Sequence, residues 1–298
     1  MILVTGAGGQ VGRELLRVGA IRGVRILGLT RAELDVSDAD AVHATLAAHR
    51  PTLVVNAAAF TAVDRAEAEP GAALAANRDG PAHLADACAA LDIPLIHLST
   101  DYVFDGTKRE PYTEDDATNP LNVYGASKLA GEDEVRARLR RHIILRTSWV
   151  FSAHGHNFVR SMLRLAQQSP ALSVVADQCG CPTPAVHLAV AILDIAEQLR
   201  WGRDDAWGTY HLTGRGETTW FGFAQAIFEL LGRLGMDPLP AVRPVTLAEF
   251  HTPALRPAYS VLDCARIHAT FGITARPWRS ALFATLRTLR AEAAPAIL

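Results

Sequence analysis

The sequence predicts an α/β protein, a doubly wound parallel sheet carrying a second, smaller mixed α/β lobe, on three observations. First, five short apolar runs, at residues 2–5, 24–29, 52–57, 94–99 and 143–148, alternate with longer alanine-rich stretches of helical period, as in successive βαβ units. Second, a glycine-rich turn follows the first run directly. Third, beyond residue 150 the alternation loosens into helix-length segments with only two strand candidates. The composition agrees: 298 residues, 49% hydrophobic and 20% charged, can bury a core, which excludes a disordered, collagen-like or coiled-coil chain.

Taken in order, the helices between the runs fall near 10–20, 38–49, 71–91 and 122–140, with Ser37 as N-cap and Pro51 as stop for the second. Residues 103–121, rich in Asp, Glu, Pro and Thr, form a long excursion after the fourth run, on the edge of the sheet where ligands bind. The second half carries helices near 157–168, 184–200, 219–234 and 278–293 and strands at 172–176 and 209–213. No repeat, low-complexity tract or flexible linker separates the halves.

The net charge of −2 supplies no general attraction for nucleic acid or an anionic membrane, and neither partner is expected. The opening Met1-Ile2-Leu3-Val4-Thr5-Gly6 lacks a basic leader, and no run reaches the roughly 20 apolar residues of a membrane span, so a cytoplasmic location is expected. Cys88, Cys179, Cys181 and Cys264 are too few for a disulfide framework and read as free thiols. Of the 29 basic residues only Lys108 and Lys128 are lysine, which makes a lysine here a rare choice.

The turn reads Gly6-Ala7-Gly8-Gly9-Gln10-Val11-Gly12 and leads into a helix. Gly6, Gly9 and Gly12 suit a tight turn, close approach of a pyrophosphate and close helix–sheet packing, and the helix start offers N–H groups to the phosphates. This predicts a Rossmann-type, NAD(P)-binding domain over 1–150 and a mainly substrate-binding lobe over 151–298, some of whose segments return to the core. Two residues separate the first two glycines, a spacing that resembles the extended short-chain dehydrogenases/reductases. At the end of the second run, where an acidic side chain would hold a ribose 2′-hydroxyl, stands Arg31, which accommodates a 2′-phosphate. NADPH is therefore expected over NADH; the competing reading of Arg31 is a solvated surface arginine.

Tyr124-Gly125-Ala126-Ser127-Lys128 puts a phenol and an ammonium one helical turn apart. With five tyrosines and two lysines in the chain, chance gives about 0.03 such pairs. Reduction of a ketone needs a proton donor beside the hydride donor, and a nearby ammonium is expected to lower the phenol's pKa from its ordinary value of about 10. Lys128 also suits a hydrogen bond to the nicotinamide ribose. Thr100, at the end of the fourth run, is placed to hydrogen-bond a substrate carbonyl.

Segments Val55 through Asp64, Ser99 through Phe104, Asn122 through Gly131 and Arg146 through Phe151, with Asp177-Gln178, Gly180, Pro182-Thr183 and Arg256-Pro257, resemble the dTDP-4-dehydrorhamnose reductases over nearly the whole chain. The resemblance implies NADPH-dependent reduction of the C4 ketone of dTDP-4-dehydro-L-rhamnose to dTDP-L-rhamnose. It implies that Thr100, Tyr124 and Lys128 are catalytic and that Thr100, Asp101 and Trp149 contact the sugar. It also implies that Gly9, Gln10, Val11, Asp35, Val36, Ala57, Ala58 and Ala59 touch the cofactor. An aromatic face at Trp149 suits a deoxyhexose, against core packing as the competing reading. Arg256 suits the diphosphate by charge-assisted bonding. Tyr259 departs from the family, which has asparagine there.

Other readings stay open: reduction of a related nucleotide sugar of the dihydrostreptose type, or a non-catalytic subunit similar to the regulatory subunit of methionine adenosyltransferase. A dehydratase is disfavoured because Tyr102, not a second carboxyl, follows Asp101. Mg²⁺ and a homodimer enter by the resemblance alone. His154 and His156 lack a carboxylate at ligand spacing and read as surface or cleft residues, so no metal ligand is assigned.

Overall fold

A computed structural model describes residues 1–203 and 205–293. In chain order the strands are β1 (Ile2–Thr5), β2 (Ile26–Leu29), β3 (Leu53–Asn56), β4 (Leu95–Thr100), β5 (His142–Thr147), β6 (Val150–Phe151), β7 (Ala171–Val175), β8 (Cys179–Gly180), β9 (Thr183–Pro184), β10 (Gly208–His211), β11 (Thr218–Thr219) and β12 (Ala241–Val245). The helices are α1 (Gln10–Ile21), α2 (Ala39–His49), α3 (Val63–Ala68), α4 (Pro70–Leu74), α5 (Gly80–Leu91), α6 (Val123–Arg138), α7 (Phe158–Ala166), α8 (Ala185–Arg200), α9 (Trp220–Arg233), α10 (Ala265–Phe271) and α11 (Trp278–Ala293).

Six strands form one parallel sheet in the order β10-β5-β4-β3-β1-β2. Its strands are apolar at successive positions because helices cover both faces. Ile2 and Val4, Val55, Ile143 and Leu145 point to the face covered by α1, α8 and α10. Leu3, Val54 and Ile144 point to the face covered by α2, α5 and α6. The period of two is thus visible strand by strand. The order reverses between β1 and β3, and their carboxyl ends, Thr5 and Asn56, lie side by side. In open α/β sheets that is where a ligand crevice opens.

The remaining strands are short pairs: β12 beside β7 and β6 beside β9, both parallel, and β11 antiparallel to β8. A second apolar core forms where α7, α9 and α11 pack on β7. The 209–213 segment, expected among the second-half strands, is β10 and extends the main sheet beside β5. Strand β12 is mostly exposed and includes Pro244, which hides its alternation from the sequence.

Two local expectations are corrected. Asp38, not Ser37, caps α2: its carboxylate accepts from Ala41 N–H at 3.0 Å, while the Ser37 hydroxyl donates to Asp35 at 2.7 Å. The single helix expected over 71–91 is α4, a π turn at Ala75–Asp79, and α5. Pro81 explains the turn, since it has no N–H for the carbonyl four residues back, at Asn77. The widened turn also fixes Asn77. Its side-chain oxygen accepts from Phe60 N–H (2.8 Å), and its nitrogen donates to Phe60 O and Ser127 Oγ (both 3.0 Å).

The 103–121 excursion is held in place. Tyr112 stacks on Phe104 with centroids 4.2 Å apart and bridges to Leu262. Asp105 accepts from Thr107 N–H, Thr107 Oγ1, Tyr112 O–H and Asn119 Nδ2. Replacing Asn77 by Ala strands the Phe60 backbone groups and is expected to cost about 1–3 kcal/mol of stability. Urea unfolding checks this, and an unchanged midpoint would show that those groups find other partners.

Candidate active site

The β1–α1 turn closes tightly because Gly6 adopts φ 68°, a left-handed conformation, and Gly9 N–H donates to Gly6 O at 2.9 Å. A Cβ on Gly6 would lie 2.6 Å from the Ala57 carbonyl carbon, so the turn touches the end of β3. Helix α1 begins without a side-chain cap, leaving its first N–H groups for a ligand. Beside the turn lies a cleft of about 640 Å³ lined by Gly6, Gly9, Arg31, Asp35, Val36, Ala57, Ala58 and Ala59, among others. Glycine turn, bare helix start and cleft together fit a dinucleotide.

Gln10, Val11 and Gly12 are not among the residues lining that cleft. The Gln10 amide donates to Val150 O (3.3 Å) and accepts from Ser152 Oγ (3.1 Å) and Asn157 Nδ2 (3.0 Å), and Val11 packs in the core. What these residues leave toward the turn is backbone N–H, since α1 starts without a side-chain cap. Arg31 stands at the rim with its side chain 83% exposed, 3.2 Å from Asp35. Hydrogen bonds from Ser37 keep the Asp35 carboxyl below its usual range. Arg65 also lines the cleft, a position that sequence reasoning does not single out. It lies over the Phe60 ring (4.7 Å) and pairs with Glu69, one residue past the family-like segment that ends at Asp64.

Thr100 ends β4, level with Thr147 on β5. Its hydroxyl donates to Asp101 Oδ1 (3.1 Å), accepts from Tyr102 N–H (3.2 Å) and meets the Tyr124 phenol. Helix α6 brings the phenol there. Asn122 caps it, accepting from Gly125 N–H at 2.7 Å and donating to Leu255 O at 2.7 Å. Gly125 lets the helix approach closely: a Cβ there would lie 2.2 Å from Tyr102 O.

Burial pushes the Tyr124 phenol up to about 12, with the Asp101 charge adding and the Thr100 hydrogen bond opposing. This corrects the expectation that Lys128 lowers it. The Lys128 ammonium is 2% exposed, donates to Leu98 O at 2.7 Å and is brought down to about 8 by burial, against the pull of Glu132. Burial outweighs proximity in this site. For reduction the result is serviceable, because the proton donor must start protonated. Burial likewise raises Asp101 to about 7, against hydrogen bonds from Ser260 and Thr100, and its Oδ2 is buried without a hydrogen-bond partner.

Trp149 adopts φ 46°, and its indole stacks on Trp220 with centroids 3.5 Å apart and planes 7° from parallel. Trp220 is not marked by any motif; it covers one face of Trp149. Arg256 is engaged rather than open: it pairs with Asp64 (2.8 Å), donates to Ala254 O (3.2 Å) and hydrogen-bonds Tyr102. Tyr102 in turn meets Tyr124 edge to face, centroids 5.8 Å apart. The Tyr259 hydroxyl reaches Glu217 (3.2 Å). Among the described residues no group of three or more His, Cys, Asp and Glu side chains gathers as a metal site.

The family model described as the RmlD substrate binding domain matches residues 1–291. A dTDP-4-dehydrorhamnose reductase of Sinorhizobium fredii is 46% identical over 278 residues, covering 93% of both chains. Among solved structures, a dTDP-4-dehydrorhamnose reductase of Clostridium acetobutylicum superposes with TM-score 0.90 at 38% identity, covering 97% of this chain and 99% of that one. The Bacillus anthracis reductase in complex with NADP superposes with TM-score 0.87 at 34% identity, covering 96% and 98%.

A Gly125→Val substitution is expected to force α6 away from Tyr102, costing about 1–3 kcal/mol by overpacking and displacing the phenol from Thr100. Ketone reduction should fall far more than stability. Equal turnover by this variant would show that the close approach is not needed.

Proposed function

Since the chain belongs to the RmlD substrate binding domain family of dTDP-4-dehydrorhamnose reductases, we infer that Thr100, Tyr124 and Lys128 carry the chemistry of its reaction. The protein is an oxidoreductase that uses NADPH to reduce the C4 ketone of dTDP-4-dehydro-L-rhamnose, giving dTDP-L-rhamnose. One observation carries the assignment of roles: the Thr100 hydroxyl and the Tyr124 phenol meet at the carboxyl end of β4, with Lys128 one helical turn along α6.

The nucleotide, when bound, supplies a hydride from its nicotinamide ring. The Thr100 hydroxyl orients the substrate carbonyl, and the Tyr124 phenol gives its proton to the oxygen as the C–O bond becomes an alkoxide. Lys128 holds the nicotinamide ribose and stands behind the phenol as a cation. Asp101 and Trp149 hold the sugar: the partnerless Asp101 Oδ2 suits a hydroxyl donor, and Trp149 suits an apolar ring face. Arg256 reaches the diphosphate only by loosening its pair with Asp64, and in the free chain it fastens Tyr102.

The residues proposed for the nucleotide are Gly6, Gly9, Gln10, Val11 and Gly12 at the phosphates and Arg31, Asp35, Val36 and Ala57 to Ala59 along the cleft. We assign the dinucleotide to residues 1–150, completed by α8 and β10, and the sugar nucleotide mainly to 151–298. No helix among the described residues is long and apolar enough to cross a membrane. A cytoplasmic homodimer is the working assignment, and light scattering tests the assembly.

Loss of NADPH absorbance with enzymatically generated dTDP-4-dehydro-L-rhamnose tests the roles. Tyr124→Phe should lower turnover by about 10² or more with nucleotide binding kept; near-normal turnover would remove Tyr124 from the mechanism. Arg31→Ala should raise KM for NADPH more than for NADH, since its exposed pair with Asp35 is weak enough to yield to a phosphate. Equal effects on both nucleotides would dismiss the 2′-phosphate contact.

A further inference from the structure

A buried chain of polar groups runs from the glycine turn to Lys128 and takes no part in the steps just assigned. The Thr5 hydroxyl at the end of β1 donates to Asn56 Oδ1 at 2.7 Å, and Ala58 N–H donates to the same oxygen at 3.1 Å. An amide oxygen that holds two donors fixes the orientation of its side chain. Asn56 Nδ2 is therefore the atom 3.0 Å from His97 Nδ1, and it can only donate. A ring nitrogen that accepts carries no proton, so neutral His97 bears its proton on Nε2. That nitrogen lies 3.4 Å from Lys128 Nζ. Thr5, Asn56 and His97 are all 0% exposed.

We propose that His97 is a positioning residue whose tautomer, locked by Asn56, presents an N–H instead of a lone pair to Lys128. The ammonium is thereby denied the His97 lone pair as an acceptor beside Leu98 O and gives up a proton more easily than it otherwise would. The surrounding charges fit this assignment. Burial, with the charges of Lys128, Arg136 and His142, keeps His97 neutral far below its ordinary titration range. From the next turn of α6 Glu132 favours the ammonium, but its carboxylate is shared with Arg146 on β5, Arg136 on α6 and the Ser99 hydroxyl on β4.

This inference rests on the reading of Lys128 as part of the reaction and deepens it. Tyr124 passes its proton to the substrate oxygen and becomes a phenolate. A proton from Lys128 restores the phenol, and the resulting amine takes a proton from water before the next turnover. Because Thr5 and Ala58 border the nucleotide turn, the same chain joins the nucleotide-binding edge to the proton source.

The scarcity of lysine makes the test direct. In protein labelled with [¹³Cε]lysine only Lys108 and Lys128 give signals, and Lys108→Arg assigns them. In protein with ¹⁵N-labelled histidine rings, His97→Phe assigns the His97 signals, which report the tautomer without any turnover. The unaltered chain should show His97 as the Nε2–H form; an Nδ1–H form would overturn the proposal by itself.

Asn56→Asp keeps an oxygen for Thr5 and Ala58 but accepts from Nδ1–H, turning a lone pair toward Lys128. The Lys128 titration should rise by about one pH unit or more, and the alkaline limb of turnover should rise with it. In Asn56→Asp combined with His97→Phe the rise should disappear. A rise that persists there comes from the new carboxylate acting through space and would overturn the relay through the ring. Lys128→Met tests the underlying reading separately: full activity would remove Lys128 from the reaction, whereas low activity with an unmoved Lys128 titration in Asn56→Asp would sink only the role of His97.

Discussion

The placement of Tyr124 and Lys128 depends on one buried ion pair. Arg146 on β5 donates from Nε and Nη2 to the two oxygens of Glu132, at 2.9 and 2.7 Å, and both side chains are out of water. Ser99 on β4 donates to the same carboxylate at 2.5 Å. Burial alone would raise the Glu132 carboxyl, but Arg146 and Arg136 hold it below its usual range, so it stays charged. A charge so far from water persists only with this degree of pairing, and breaking such a pair from one side costs on the order of 3–5 kcal/mol. The pair thus pins α6 to two adjacent strands one turn beyond Lys128, and the face of the helix that carries Tyr124 and Lys128 follows from that anchorage.

A second set of bonds fastens the carboxyl-terminal part of the chain to the same helix and its surroundings. Asn122 reaches Leu255 O, and Arg256 reaches Asp64, residues that lie 133 and 192 positions apart along the chain. Each of these groups also acts locally, since Asn122 caps α6 and Arg256 holds Tyr102. The side chains around Tyr102 and Tyr124 are therefore held from two sides, by the sheet edge and by the loop that precedes Tyr259.

Much of this is legible in the sequence, for physical reasons. Strands buried on both faces are continuous apolar runs, so five of the six sheet strands can be read directly, and Gly6 and the Tyr124–Lys128 spacing stand out because few alternatives satisfy them. What cannot be read depends on partners distant in sequence or on depth. Strands of two residues such as β8 and β11 have no period to detect. Trp220 enters the site only because α9 folds back onto Trp149. The engagement of Arg256 by Asp64 has no local sign. The effect of Lys128 on Tyr124 is misjudged from sequence because spacing along a helix reports proximity, while the burial that dominates both groups is set by the whole fold. Pro81 does signal the π turn, and its significance lies in the carbonyl four residues earlier.

The return of α8 and β10 to the main sheet bears on how the chain is made. One face of the sheet is covered by α1 only in part; Leu188, Ile192 and Ile195 of α8, Tyr210 of β10, and Ile267 and Phe271 of α10 pack over the rest. On the ribosome, a nascent chain that ends near residue 150 exposes that apolar face and an unpaired edge at β5, so the amino-terminal half has no finished core when it emerges. The two sides of the sheet consequently mature together, late in synthesis, and a truncated product would be a sticky intermediate instead of a finished half.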